Sequence, residues 1–386
     1  MRLSTLPIFL TFLVMGVADA MGPMSDAVKN QFQLSNVVAT LLPFFVFIAF
    51  AVFSVPGGVL AARMGKKNLL LLGLGLNVLA MAIPTFTMPG FTLLLACIFI
   101  LGVGTTFLQV AGNPIMRDVS EGGAYSRNLA LAQGIKGVGS SASAYLVGLV
   151  LILPLFKSMG WRGAFPVFFG LMTVAFLCVA VLKVRETKAT EPPSVGSSLS
   201  LLGEPTFALA VLGIFLYVGA EVCMGRFLQP TLEGFGLASD KAALFGPTLF
   251  FGALTVGRLV AGSVNISART FLRLSAVLGL AAAVLMMTGA KSLTLVGVVL
   301  GGLGFANIWP MLFSITVEEK PERASELSGL MCMAISGGAI VPLIMGKLVD
   351  LGFKPLSFVV PAACFAYLVL LSLKGGHQSA ASGKMV

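Results

Sequence analysis

Hydrophobic and polar positions along this chain sort into long blocks, with neither the two-residue alternation of a strand nor the one-sided stripe of a soluble helix. Crossing about 30 Å of hydrocarbon takes roughly 20 apolar residues as a helix. Runs of that length fall near 6-30, 36-63, 68-87, 90-116, 128-155, 164-184, 206-230, 243-264, 271-289, 293-316, 327-349 and 356-373. The pattern predicts an all-α membrane protein with twelve transmembrane helices. The longest polar segment between runs, Arg185 to Glu204, is rich in Pro, Ser and charge and reads as a linker. It divides the chain into an N-terminal six-helix bundle over 1-184, a cytoplasmic linker over 185-204, a C-terminal six-helix bundle over 205-374 and a polar cytoplasmic tail over 375-386.

Composition agrees with the blocks. Charged residues make up 10% and apolar ones 57% of the 386 positions, 45 residues are glycine, and mean hydropathy is +1.00. Soluble domains run near a quarter charged. The net charge of +10 is distributed by topology. With the N-terminus inside, the inside loops and tails hold 15 Lys and Arg, among them Arg63, Lys66, Lys67, Lys183, Arg185, Lys188, Arg269 and Arg273. The outside loops hold six: Lys29, Lys157, Arg162, Lys241, Lys291 and Lys354. That bias places both termini in the cytoplasm. No basic soluble domain exists to suggest a nucleic-acid partner. Cys97, Cys178, Cys223, Cys332 and Cys364 are scattered through apolar runs without metal-like spacing. Met1-Arg2 and the run ending in Ala18-Asp19-Ala20 imitate a secretory signal. The expectation is that it stays in place, because its removal would leave an odd number of spans.

The two halves echo each other. Span four ends in Asn113-Pro114, followed by a basic loop and a fifth span with Gly137, Gly139, Ser140 and Ser141. Span ten carries Trp309-Pro310, followed by a charged loop and an eleventh span with Ser336, Gly337 and Gly338. Glycine and proline in membrane helices commonly serve tight packing. Helix-breaking residues at matching places in two parallel repeats point further, to a transporter whose halves rock about a midplane site.

Candidate chemistry lies in the intramembrane polar residues. Lys136 is the only charged residue between Asn128 and Phe156. An ammonium at that depth costs about 3 kcal/mol on insertion scales, so it marks a partner, a cavity or a solute path. Its companions are Asp19 in span one, Gln109 and Asn113 in span four, Gln133 in span five, Glu221 and Arg226 in span seven, and Asn307 with Trp309 in span ten. At 1.5 Å rise per residue, Gln109 and Lys136 lie about 12 to 14 Å above the cytoplasmic edge, and Asp19 and Glu221 about 20 to 24 Å. Lys136 either neutralises Asp19 or recognises an anion. Asp19 and Glu221 are the candidate cation-coupling carboxylates, because burial and a nearby lysine pull a carboxylate's protonation in opposite directions. Glu221 is also a candidate acceptor for solute hydroxyls. Arg226, nearer the outer end, suits a snorkelling role. Trp309 suits either core packing or a stacking platform for a sugar ring. An enzyme is not proposed: the only histidine is His377 in the tail, and no HExxH, phosphate loop or nucleophile elbow is present.

Several stretches carry a family likeness: Leu108-Gln109-Val110-Ala111-Gly112-Asn113-Pro114, Leu131-Ala132-Gln133, Tyr217-Val218-Gly219-Ala220-Glu221-Val222, Gly257-Arg258, Trp309-Pro310, and Gly337 through Pro342. At these residues the chain resembles the fucose/galactose/glucose cation symporter branch of the major facilitator superfamily, over its full length. Arg63-Met64-Gly65-Lys66-Lys67 looks like a worn copy of that superfamily's gating loop between spans two and three. The resemblance implies the major facilitator fold, two pseudo-symmetric six-helix bundles that move a monosaccharide inward with a proton or sodium. It implies a sugar site in a central polar cavity. The chain departs from the pattern where Gln109 replaces a glutamate, Gly22 stands at the acidic position of span one, Lys136 replaces an asparagine and Arg226 a serine-like residue.

The combined expectation is a secondary active transporter in a bacterial inner membrane, importing a monosaccharide or related small polar solute by cation symport, the cation a proton rather than sodium. It needs no cofactor, acts as a monomer in the lipid bilayer, and takes a small-molecule solute. Solute contacts are assigned to Gln109, Asn113, Gln133, Lys136, Glu221, Asn307 and Trp309, and gating to Arg63, Lys66 and Arg258. Two alternatives share the fold: a carrier of an organic anion such as a sugar acid, favoured by a cavity shifted towards positive charge, and a drug-type exporter, disfavoured by so many amides and charges.

Overall fold

A computed structural model of the chain describes residues 5–35, 38, 41–150, 153–156, 158–187 and 193–374. The expected tail with His377, linker residues 188–192 and Lys157 lie outside the described residues. The helices are α1 (Leu6–Met15), α2 (Met21–Phe32), α3 (Leu41–Met64), α4 (Lys66–Phe86), α5 (Phe91–Val119), α6 (Tyr125–Leu149), α7 (Ala164–Val181) and α8 (Val195–Ser200). They continue with α9 (Pro205–Gly234), α10 (Ser239–Ala243), α11 (Leu249–Ala261), α12 (Ala268–Met287), α13 (Lys291–Ala306), α14 (Ile308–Glu319), α15 (Ala324–Met333), α16 (Gly337–Asp350) and α17 (Val359–Lys374). No strand occurs among the described residues. Ten helical stretches are long and apolar enough to cross a bilayer. The remaining two of the twelve expected spans fall on α1 with α2, joined by a tightened 3₁₀ turn at Gly16–Ala20, and on α6.

The chain forms two compact units, Met1–Leu201 with Lys320–Met333, and Leu202–Glu319 with Ala334–Val386. Each unit turns part of its apolar surface outwards. Phe44, Val52, Leu79, Val174 and Leu177 are exposed on the first, and Val256, Val260, Leu274, Val277 and Val296 on the second. In a lipid-facing helix such residues need no water-excluding partner.

Glycines set how closely the helices approach. A Cβ on Gly139 of α6 would overlap the Leu13 carbonyl oxygen of α1, and one on Gly16 would overlap the Ser140 backbone nitrogen. In the second unit a Cβ on Gly337 of α16 would overlap the Phe215 carbonyl oxygen of α9, and one on Gly219 would overlap Val341. The repeat seen in sequence is therefore a repeat of contacts. Asp19 stands six residues beyond Leu13 and Glu221 six beyond Phe215. Each carboxylate emerges from the same place on its helix relative to a glycine contact.

The prolines repeat in the same way. A proline lacks the N–H that would bond the carbonyl four residues earlier. Pro114 orphans the Val110 carbonyl, which accepts a hydrogen bond from Ser328 Oγ at 2.7 Å. Pro310 orphans the Ala306 carbonyl, which accepts from Arg258 Nε at 2.9 Å. The consequence for the helix differs. α5 runs unbroken through Pro114, whereas span ten is interrupted at Asn307 (φ −109°, ψ 3°) between α13 and α14. The interruption expected at Trp309-Pro310 thus lies one turn earlier, and Pro310 occupies the first turn of α14, where its missing N–H does least harm.

Candidate solute and cation sites

In the first unit the polar side chains within the spans fall into two hydrogen-bonded groups, Asp19 with Ser140, and Gln133 with Asn113, Cys332 and Ser328. The tightened turn at Gly16–Ala20 presents Asp19, which is exposed although the rest of that turn is buried. Its Oδ2 accepts a hydrogen bond from Ser140 Oγ at 2.6 Å. The glycine contacts at Gly16 and Gly139 bring the backbones near enough for so short a side chain to reach. The same hydroxyl lies 3.1 Å from the Lys136 carbonyl oxygen, so its one proton has two acceptors within reach. Lys136 is half-buried. Among the described residues no ion pair joins it to Asp19, and no hydrogen bond engages its ammonium.

One turn before Lys136, Gln133 Nε2 donates to Asn113 Oδ1 at 3.0 Å. Asn113 is fully buried, with its carbonyl accepting from Tyr125 OH at 3.1 Å and its amide directed at Cys332 Sγ at 4.0 Å. The Lys136 ammonium is close enough to Cys332 to act on it electrostatically. Gln109, on the next turn of α5 from Asn113, is 2% exposed, and its Oε1 has no hydrogen-bond partner. Sequence reasoning gave Gln109, Asn113, Gln133 and Lys136 a place in the site; it noted Ser140 only as part of a repeated small-residue cluster and Cys332 only as a scattered cysteine, and passed over Ser328. Ser140 was visible as the i+4 neighbour of Lys136 on the same helix face.

In the second unit Arg258 ties the interruption of span ten to α9. Its Nη2 donates to Tyr217 OH at 3.1 Å while its Nε holds the orphaned Ala306 carbonyl. Glu221 lies one helical turn on from Tyr217 on the same face of α9, close enough to act on its hydroxyl electrostatically. Asn307 Nδ2 donates to the Gly257 carbonyl at 3.3 Å, leaving its Oδ1 buried and without a partner. Trp309 is 4% exposed and stacked on Phe313 at 5.9 Å and 30°. Its indole Nε1 is also without a partner. A buried donor or acceptor left unmade costs about 1–3 kcal/mol, so these two atoms mark places where a polar guest is favoured. Arg226 is exposed and lies 5.8 Å from the centre of the Phe227 ring. Arg258, the gating candidate of this half, is buried within the second unit.

Arg63 and Lys66 lie at one edge of the first unit, in the wall of the same cavity. Gly65, at φ +95°, makes the sharp turn from α3 to α4 that a side chain would strain. Lys66 Nζ pairs with Asp118 Oδ2 at 2.5 Å, and both side chains are buried. Glu186 of the linker accepts from the backbone N–H groups of Lys66 and Lys67 at the start of α4, where a carboxylate complements the helix dipole. Arg63 donates through Nε and Nη2 to the Pro193 carbonyl at 3.0 and 2.7 Å. Glu326 of α15 accepts from Ser197, Ser198 and Arg323. A cavity of about 490 Å³ opens here, with Arg63, Lys66, Glu186, Thr187, Glu322 and Ser325 in its wall. Asp118, Glu186 and Glu326 escaped the sequence reading, which sought charges inside spans and passed over those beside them.

The sequence profile of the Major Facilitator Superfamily matches residues 8–342, and the chain belongs to that superfamily of membrane transporters; it is not an enzyme. A glucose/galactose transporter of Brucella abortus is 30% identical over 369 residues, 91% of this chain and 88% of that protein. The L-fucose-proton symporter of Escherichia coli is 23% identical over 390 residues, 90% of this chain and 88% of that one. A crystal structure of the E. coli fucose:proton symporter superposes with a TM-score of 0.84 at 21% identity, covering 98% of this chain and 100% of that one, and shows the shared fold.

Proposed function

We propose that this protein imports a monosaccharide or a closely related small polar solute by cation symport, with alternating access of its two halves. The observation that carries the reading is Asp19: a carboxylate exposed at half depth in a membrane span, held by a single serine hydroxyl. The glucose/galactose and fucose-proton names of the relatives supply the solute class and favour a proton. A proton needs one accessible carboxylate, whereas a sodium ion would call for a cage of oxygen ligands. Glu221, at the matching position one turn beyond Tyr217, is the second coupling candidate and an acceptor for solute hydroxyls. Gln109, Asn113, Gln133 and Lys136 in the first unit, and Asn307 and Trp309 in the second, contact the solute. Arg63 and Lys66 govern the cytoplasmic gate, and Arg258 fixes the broken helix beside the site. The protein works as a monomer in a bacterial inner membrane with both termini inside.

The test is counterflow in proteoliposomes with labelled glucose, galactose, fucose, glucuronate and galacturonate. Exchange of any of these, with accumulation driven by an inward proton gradient, is the expected result. If none exchanges under a proton or a sodium gradient, sugar symport is wrong.

A further inference from the structure

The first unit leaves a positive charge without a mate at the depth where the solute is expected. Lys136 is half-buried, and its ammonium has no hydrogen bond or ion pair among the described residues. Asp19 takes its hydrogen bond from Ser140 and Asp118 pairs with Lys66, so neither carboxylate is in contact with the Lys136 ammonium. Charged residues on the helices packed against the Asp19 turn are Asp26 and Lys29 on α2, Arg63 on α3, Arg117 and Asp118 on α5, and Arg127 and Lys136 on α6. Around Lys136 lie two amides joined to each other, Gln133 to Asn113, and Gln109, whose buried Oε1 lacks a donor.

A neutral hexose offers this group hydroxyls alone. Those hydroxyls satisfy Gln109 Oε1 and leave the ammonium as it was. A carboxylate on the sugar completes both, because a charge-assisted bond to an ammonium is roughly twice as strong as a neutral one. We infer that the solute is an acidic monosaccharide, a hexuronate or a sugar acid of similar size, whose carboxylate is anchored by Lys136. The inference rests on the symport reading above and names its solute class.

Coupling follows from the same geometry. With Asp19 protonated, its charge is gone and Lys136 stands uncompensated, so an anion is attracted. When Asp19 releases its proton, its carboxylate, one helical turn along α6 from Lys136 through Ser140, competes with the solute for the ammonium and favours release. One proton and one monoanion move together, and the net charge moved is zero.

The experiment uses the whole protein in proteoliposomes with the membrane potential set by potassium and valinomycin, and compares glucuronate and galacturonate with glucose and galactose. The acids are expected to exchange in preference to the hexoses, and proton-driven uptake of the acid to be indifferent to potential. Lys136→Asn is expected to weaken the acids about 10- to 100-fold, the effect of a lost charge-assisted bond, with no matching loss for the hexoses. Lys136→Arg retains the preference and shows that the fold survives change at this position. If the wild-type protein exchanges glucose or galactose at least as well as the acids, or its proton-driven uptake responds to potential as one moving positive charge, the acidic solute is wrong while sugar symport stands. If neither acids nor hexoses exchange, both readings fall.

Discussion

At the scale of single residues, function turns on which partner each intramembrane polar group has. Asp19 and Lys136 were legible as expensive charges in an apolar run, but their partners were not. Pairing depends on how α1 and α6 are rotated against each other, and spacing along either helix carries no record of that. Asp19→Asn keeps a side chain of the same shape and removes the proton site. Solute counterflow is expected to continue while accumulation against a gradient is lost, and accumulation at the wild-type level would remove Asp19 from the coupling role. Ser140→Ala takes away the donor to Asp19 Oδ2, a bond to a charged group of about 1.5–3 kcal/mol. It is expected to lower steady-state accumulation severalfold with exchange preserved, in the same two assays. Trp309→Phe keeps an aromatic ring on Phe313 and deletes the unpartnered indole N–H. If that N–H meets a solute oxygen, half-saturation rises roughly 2- to 10-fold, the range of one neutral hydrogen bond; an unchanged value would make Trp309 a packing residue.

At the scale of helices, the glycine contacts decide where the carboxylates emerge. The sequence already marked Gly139 and Gly337 as members of small-residue clusters at matching places. It did not say which helix each one meets, because a glycine's role is defined by the atom that approaches it. In the structure both receive a carbonyl oxygen of the first helix of their repeat, Leu13 and Phe215. Gly139→Ala and Gly337→Ala are therefore expected to destabilise the protein by about 1–3 kcal/mol each, as overpacked cores do. Gly170→Ala on α7, where an added Cβ meets nothing within 4 Å, gains helix propensity of up to about 1 kcal/mol instead. Thermal unfolding in detergent separates the two outcomes. Equal midpoints for all three variants would mean that the close approach is not required. The interruption at Asn307 shows the converse limit. Pro310 announces a disturbed helix, yet the break itself sits where Arg258 and Asn307 stitch the chain to α11, and only the fold brings those residues together.

At the scale of the whole molecule, the twelve-span plan was legible because hydrocarbon imposes it: every backbone polar group in lipid must be paired within its own helix, and the apolar runs record that demand directly. Orientation is a separate matter, carried by loop charge. The loops and tails expected inside hold 15 Lys and Arg against six outside, and the Lys66–Asp118 pair, Glu186 and Arg63 gather at the end assigned to the cytoplasm. Single cysteines read this out. Glu121 and Lys354 are exposed on loops at opposite ends of their spans, and the native thiols give little background, since Cys97, Cys223, Cys332 and Cys364 are buried and Cys178 is half-buried in an apolar helix. In spheroplasts, Lys354→Cys is expected to react with a membrane-impermeant maleimide at once, and Glu121→Cys only after the membrane is opened. The reverse order would invert the topology and move the Arg63 and Lys66 cluster to the outer face. The direction of net symport would stay inward, because it follows the proton gradient rather than the orientation of a carrier whose site opens to both sides in turn.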